Sequence, residues 1–264
     1  MKLHYRQFGE GKPVILLHGI FGSSDNWVTI GRQLGEHFSV YIPDQRNHGQ
    51  SPHSPVFNYY ALVEDLREFI AELALENITL IGHSMGGKVA MSFALDQPRL
   101  VNQLVIIDIS PGFNTIRQEH RDILRIMRAV DLTTISSRQE AEAELRKWPL
   151  SERIQSFILK NLYRSGTDRF AWRINLDAIE DNAELIFGPI PFSGRYPGPV
   201  LVIQGGDSTY ITHDNKEVFN HYFPNVRFSI IPGASHWVHA DKPDDMMKTL
   251  LDFLQGTERG INNG

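Results

Sequence analysis

Six short, nearly continuous apolar runs dominate this chain: Val14–Leu17, Ser39–Ile42, Ile78–Ile81, Leu104–Ile107, Val200–Ile203 and Arg227–Ile231. Most end in Gly, Asp or Pro. A strand with one wet face alternates apolar and polar residues, whereas a strand covered on both faces reads as an unbroken apolar run. Segments with helical spacing lie between several of the runs. In Tyr60–Leu75, the residues Leu62, Leu66, Phe69, Ile70 and Leu73 fall on one stripe. This alternation predicts an α/β fold with a mostly parallel central sheet flanked by helices. One stretch breaks the rhythm. Between about Gly112 and Tyr196 no strand is expected. Ile116, His120, Ile123, Met127 and Val130 share one helix face there, and further helical pieces run over 139–147, 152–163 and 175–187. A connection of about 85 residues is far longer than an ordinary loop. The expected organisation is a core of 1–111 and 197–264 with a helical cap, 112–196, over the sheet edge where such folds bind ligands.

Composition narrows the chemistry. The chain of 264 residues has no Cys, which excludes cysteine nucleophiles, disulfide scaffolds and thiolate metal sites. With 26 basic against 31 acidic residues the formal charge is −5, which argues against nucleic acid as a partner. No apolar run approaches the roughly 20 residues of a membrane helix, so no membrane insertion is expected. The first residues lack the apolar core of a secretory signal, and a cytoplasmic protein is the expectation.

The strongest local signal is Gly82-His83-Ser84-Met85-Gly86, between a strand-like run and the helical Lys88–Leu95. Two glycines let the backbone fold tightly enough to present the Ser84 hydroxyl at the sheet edge. The turn also aims the N–H of Met85 and the positive helix end at a developing oxyanion. The same stretch spells Gly-x-x-x-x-Gly-Lys, close to a phosphate-binding loop. The next residue is Val89, so the hydroxyl that would hold Mg²⁺ is missing, and Lys88 is expected to be a solvated helix residue. A serine needs a base. His236, in the loop after the last strand, fits the order Ser, acid, His. His239 lies three residues on, but no accompanying carboxylate motif points to a metal pair.

From end to end the chain resembles the α/β-hydrolases, and among them the small YbfF-type carboxylesterases. The likeness rests on His18-Gly19-Ile20-Phe21-Gly22-Ser23, Asp44-Gln45-Arg46-Asn47-His48-Gly49-Gln50-Ser51, the elbow through Lys88, and Gly233-Ala234-Ser235-His236-Trp237-Val238-His239. The resemblance implies a second oxyanion donor at the N–H of Ile20, with Ile20 and Phe21 beside the acyl group. It also implies that Asp44 and Arg46 form a structural pair bracing their loop. For the triad acid it leaves two candidates. The usual position, three residues beyond Gly205, is Ser208, with Asp207 one residue short. Asp108, directly after the Leu104–Ile107 run, matches the YbfF-type arrangement and is favoured, with Asp207 as the alternative.

Arg117, Arg121, Arg125 and Arg128 form a stripe on one cap helix, which reads as a solvated face or as a holder for a remote anionic group such as that of a coenzyme A thioester. Trp148, Phe157, Tyr163 and Trp172 supply cap apolar content, and Phe21, Trp148 and Trp237 are the candidate substrate contacts. The expected activity is a serine carboxylesterase acting on small or short-chain esters without metal or organic cofactor. An acyl-CoA thioesterase or a carbon–carbon bond hydrolase would use the same residues. A non-catalytic ligand-binding homologue is the rival of a different class, opposed by the Ser84–His236 pair and both oxyanion turns. A Ser at the elbow argues against dehalogenase or epoxide hydrolase chemistry, which needs a carboxylate there.

Overall fold

The computed structural model describes residues 1–114, 117–166 and 169–261. Nine strands are present among the described residues: β1 (Tyr5–Phe8), β2 (Pro13–Leu17), β3 (Ser39–Pro43), β4 (Ile78–His83), β5 (Val101–Ile107), β6 (Leu162–Arg164), β7 (Phe170–Trp172), β8 (Val200–Gly205) and β9 (Val226–Ile231). Seven of them make one sheet in the order β1-β3-β2-β4-β5-β8-β9, and all neighbours are parallel except β1 against β3. The core helices are α1 (Val28–Leu34), α2 (Tyr59–Glu72) and α3 (Met85–Asp96). The insertion holds α4 (Gln118–Ala129), α5 (Arg138–Leu145), α6 (Glu152–Leu159), α7 (Leu176–Asp181) and α8 (Ala183–Phe187). After it come α9 (Asn215–Tyr222), α10 (Val238–Asp241) and α11 (Pro243–Ile261).

Both sheet faces are covered, which is why the strands read as unbroken apolar runs. Val14 and Leu16 join Val105, Ile107, Ile203, Ile30, Leu34, Met246 and Leu250 in one buried cluster. Their neighbours Ile15 and Leu17 point the other way, to Leu80, Ile106, Val202, Leu66, Phe69, Val89 and Phe93. The second cluster runs on without a break into the insertion, through Ile123, Met127, Phe157, Ile158 and Ile179.

Several expectations are corrected. The insertion does contain strands: β6 and β7 pair antiparallel as a hairpin, with Tyr163 opposite Ala171. Three residues each are too few to show a period. The helix expected over 175–187 breaks at Asn182, which separates α7 from α8 and turns its amide back to the Ala178 carbonyl at 2.9 Å. Ile116, placed on the face of the first insertion helix, lies outside the described residues. Asp44 and Arg46 brace their loop, but not with each other. The Asp44 carboxylate takes the N–H of Ser24 at 2.6 Å and of Gln50 at 2.9 Å, beside His4, whereas Arg46 pairs with Asp65 at 2.7 Å.

Lys88 is the largest departure. It is buried, at 1% exposure, and its ammonium donates to the carbonyls of Gly112 at 2.7 Å and Gly188 at 2.5 Å. These two residues stand at the two stems of the insertion. One cation on α3 therefore holds both. Burial pushes its pKa down to about 7, while the carbonyl acceptors favour the protonated form. Lys88→Met should leave two buried carbonyls without a donor and destabilise the fold by about 1–3 kcal/mol. Between pH 7 and 10 the unfolded chain keeps the lysine proton that the folded one has lost, so wild-type stability gains with pH. The gap in melting temperature between wild type and Lys88→Met should widen over that range, as read by thermal unfolding at several pH values.

Candidate active site

The ends of β2, β4, β5 and β8 converge with the loop after β9. Ser84 follows β4 directly and precedes α3, with φ 52° and ψ −120°, a conformation that L residues rarely adopt. The glycines around it are sterically required. A Cβ on Gly82 would stand 2.2 Å from the Gly86 oxygen, and one on Gly86 would stand 2.4 Å from the Leu17 oxygen. The main chain of Ser84 is pinned to the neighbouring strand, its N–H donating to Ile107 O at 3.1 Å.

Asp108 directly follows β5, wholly buried, with its N–H on Ile203 O at 2.8 Å. Its carboxylate accepts the Gly205 N–H at 3.0 Å, the Ser208 hydroxyl, and Nδ1–H of His236 at 2.8 Å. A proton held on Nδ1 leaves Nε2 of His236 with its lone pair free to accept one. The ring is fixed from other sides as well. Tyr210 stacks on it at 3.7 Å and 14°, and Nε2–H of His83 donates to the His236 carbonyl at 2.9 Å. Burial, and then the nearby His236 and His239, hold the His83 pKa well below its usual value. It is therefore a neutral donor.

Ser84, His236, Ile20, Phe21 and Trp237 all line one cavity, together with Phe157 and His120. The wall opposite the elbow is a turn. Gly22 N–H donates to Gly19 O at 3.1 Å, and Phe21 takes φ 62°. His18 sets its direction. Its Nε2 accepts from Gln45 N–H at 3.0 Å, so its proton is on Nδ1, which donates to Gly19 O at 2.8 Å. In a trans peptide the next N–H points opposite to that carbonyl. The Ile20 N–H is thus turned away from His18. It has no acceptor among the described residues, and neither does Met85 N–H at the first position of α3. His48 grips the same turn, accepting the Phe21 N–H on Nε2 at 3.2 Å and donating from Nδ1 to Arg46 O at 2.9 Å. Burial, and then the nearby His18, push its pKa down to about 3, so it stays in the accepting form. From the insertion, the Asn161 amide donates to Phe21 O at 2.9 Å.

Two expected residues are not brought to this cluster. Asp207 is exposed on the rim of an outer groove, with its main-chain N–H on Ala234 O. Trp148 does not line the cavity. It packs against the apolar cluster with the Arg125 guanidinium 5.8 Å from its ring, a position that sequence spacing alone could not separate from a cavity wall. The arginine stripe is also divided: Arg117 lies 3.7 Å over the Tyr210 ring, while Arg125 and Arg128 pair with Asp122 and Asp177. His239 stacks on Trp27 at 4.2 Å, and no group of three or more ligating side chains occurs among the described residues. The sequence reading missed Ser208, Tyr210, His48, His120 and Asn161 as partners of the site. For Ser208 a signal existed, since it fills the position where an acid is usual. Its hydroxyl donates to the acid supplied by β5 instead.

Parallel strands feeding a strained serine turn, with a buried Asp–His pair beside it, define the α/β hydrolases. The family model described as "alpha/beta hydrolase fold" matches residues 12–162 and 160–243, and this chain belongs to that family. The sn-1-specific diacylglycerol lipase ABHD11 of Danio rerio is 40% identical over 253 residues, covering 94% of this chain and 80% of that protein. Esterase YbfF of Escherichia coli K12 is 35% identical over 244 residues, 92% of each chain. A solved marine microorganism esterase superposes with a TM-score of 0.91 at 38% identity, over 96% of this chain and 99% of the other.

The strain at Ser84 is measurable without catalysis. Ser84→Gly and Ser84→Ala both lack the hydroxyl, but only the glycine relaxes at φ 52°. Relief of about 1–3 kcal/mol, less the extra chain entropy of glycine at about 0.5–1 kcal/mol, should leave Ser84→Gly about 1 kcal/mol more stable. Its melting temperature should lie a few degrees above that of Ser84→Ala.

Proposed function

We propose that this chain is a serine carboxylesterase that hydrolyses small carboxylic esters through an acyl-enzyme on Ser84. That it is a carboxylic ester hydrolase follows from its family and from the esterases and lipase it is similar to. The roles of individual residues are the proposal. The observation that carries them is the 2.8 Å contact between Asp108 and His236, whose ring lines one cavity with Ser84 and Ile20, the latter with an acceptor-free N–H.

In the first half-reaction, Oγ of Ser84 bonds to the ester carbonyl carbon as Nε2 of His236 takes its proton. The carbonyl oxygen gains the negative charge, and the N–H groups of Ile20 and Met85 hold it. Asp108 steadies the imidazolium so formed. The tetrahedral species collapses, and the departing alkoxide takes the proton back from His236. In the second half, water gives its proton to His236 and attacks the acyl carbon. Collapse releases the carboxylic acid and returns the proton to Ser84. No metal or organic cofactor enters this sequence. Phe21 and Trp237 flank the substrate. The insertion 112–196 serves as a cap on the core of 1–111 and 197–264, contributing Glu119, His120, Ile123 and Phe157 to the cavity wall. The enzyme proposed is cytoplasmic. No helix among the described residues is long and apolar enough to cross a membrane. Thioesters could enter the same chemistry, and they form a second arm of the test.

Initial rates on p-nitrophenyl esters of increasing chain length, with a thioester series beside them, test this reading. Ser84→Ala should abolish turnover, and Asp108→Asn should lower kcat by about 10³–10⁴-fold, the effect of losing the correct imidazole tautomer. Asp207→Asn should stay within about twofold of wild type, as expected for an exposed rim residue. A large loss in Asp207→Asn with little in Asp108→Asn would reverse the assignment of the acid.

A further inference from the structure

His120 is a buried polar group that this reaction leaves idle. It stands in the first turn of α4, is 7% exposed, and lines the same cavity as Ser84, Ile20 and His236. Its Nε2 meets the Tyr210 hydroxyl at 3.3 Å, while its Nδ1 is buried with no hydrogen-bond partner. The rings of Phe187 and Phe21 pack around it at 4.8 and 6.2 Å. An unmatched nitrogen in apolar surroundings destabilises a fold, and such groups are rare enough to require a reason.

The position of its proton follows from counting partners. Burial raises the Tyr210 phenol far above its usual range, so it keeps its proton and needs an acceptor. His120 Nε2 is the hydroxyl's one partner among the described residues. If the phenol donates to Nε2, the imidazole proton sits on Nδ1 and a single N–H is left unmatched. The other tautomer strands two groups, the phenolic proton and the Nδ1 lone pair. Burial, and then His236 and Arg117, push the His120 pKa down to about 3, so the ring is neutral. His120, which lines the same cavity as Ser84, therefore carries one fixed N–H donor that has no partner among the described residues.

We propose that Nδ1–H of His120 is a substrate contact that selects esters bearing a second oxygen acceptor near the scissile bond, such as an ether, a hydroxyl or a second ester oxygen. The inference rests on the esterase reading above and narrows its substrate class. A substrate oxygen at this position satisfies the donor, whereas a plain alkyl chain leaves it unmatched and loses affinity accordingly. Tyr210 joins the contact to the catalytic base, since its hydroxyl orients His120 and its ring stacks on His236.

The test uses pairs of esters in which one CH₂ is replaced by oxygen: p-nitrophenyl methoxyacetate against the butanoate, and 2-methoxyethyl butanoate against butyl butanoate. Each is measured as kcat/KM with wild type, His120→Asn and His120→Gln. An asparagine amide can place its N–H where Nδ1 stands, and a glutamine amide can place a polar atom where Nε2 stands. The ether-to-alkyl ratio on at least one pair should fall about tenfold in His120→Gln, the scale of one hydrogen bond, and survive in His120→Asn. Unchanged ratios in all three proteins, or loss in His120→Asn alone, would mean that the imidazole merely holds Tyr210, and the inference would be overturned. Labelling of Ser84 by a fluorophosphonate, with the melting temperature, confirms that each variant is folded and armed. If wild type hydrolyses none of the four esters, the esterase reading falls and takes this inference with it. Hydrolysis with unchanged ratios sinks this inference alone.

Discussion

A single buried carboxylate ties this molecule's working end together. Asp108 is wholly enclosed, and each of its bonds reaches a different part of the chain: Gly205 at the end of β8, Ser208 in the following loop, and His236 beyond β9. A buried anion with fewer donors would be costly, because desolvation of the charge exceeds what one contact returns. The three donors are thus a condition for the acid to exist there at all. They also fix where His236 can stand. Its ring has Asp108 at one edge and Tyr210 across its face, which leaves Nε2 as the only nitrogen available for a proton from outside.

The turn from His18 to Gly22 obeys the same logic with neutral groups. His18 and His48 are both buried and both accept a main-chain N–H on Nε2, so both must carry the proton on Nδ1. Each therefore also holds a carbonyl, Gly19 O in one case and Arg46 O in the other. Two imidazoles in a chain of such bonds act as rigid spacers rather than as bases. A protonated ring could not accept the N–H it holds, and burial keeps protonation out of reach above about pH 3 for His48. The turn that presents the Ile20 N–H is in this way insulated from the acid range in which a free histidine would titrate.

Much of this was legible in the residues. The unbroken runs from Val14–Leu17 to Val200–Ile203 specify strands buried on both faces, and the elbow glycines specify the serine turn, because these are local constraints with few alternatives. β1 was not legible: an edge strand with half-exposed residues carries no apolar run. Nor were β6 and β7, which exist because the insertion folds them against each other. Lys88 misled because its polar identity pointed to solvent, and only the tertiary arrangement brings two carbonyls to it. The resemblance favours Asp108 over Asp207 as the acid. Asp108 is buried and bonded to His236 while Asp207 is exposed, a difference that a single sequence does not record. The side chains around His120 and Tyr210 belong to different elements some 90 residues apart, and nothing in the local pattern of either announces the other.

The lysine beneath the insertion has a consequence for how such a protein can change. Gly112 and Gly188 are the two feet of a long excursion, and both stand on the same nitrogen. Whatever lies between the feet can lengthen, shorten or repack while the anchorage to α3 stays the same. α3 in turn starts at the serine turn, so the footing and Ser84 belong to one helix and its N-terminal turn. The insertion adds Glu119, His120, Ile123 and Phe157 to a cavity whose other walls are built by the core. Changes between the feet can redraw that part of the wall while the footing on α3 is kept.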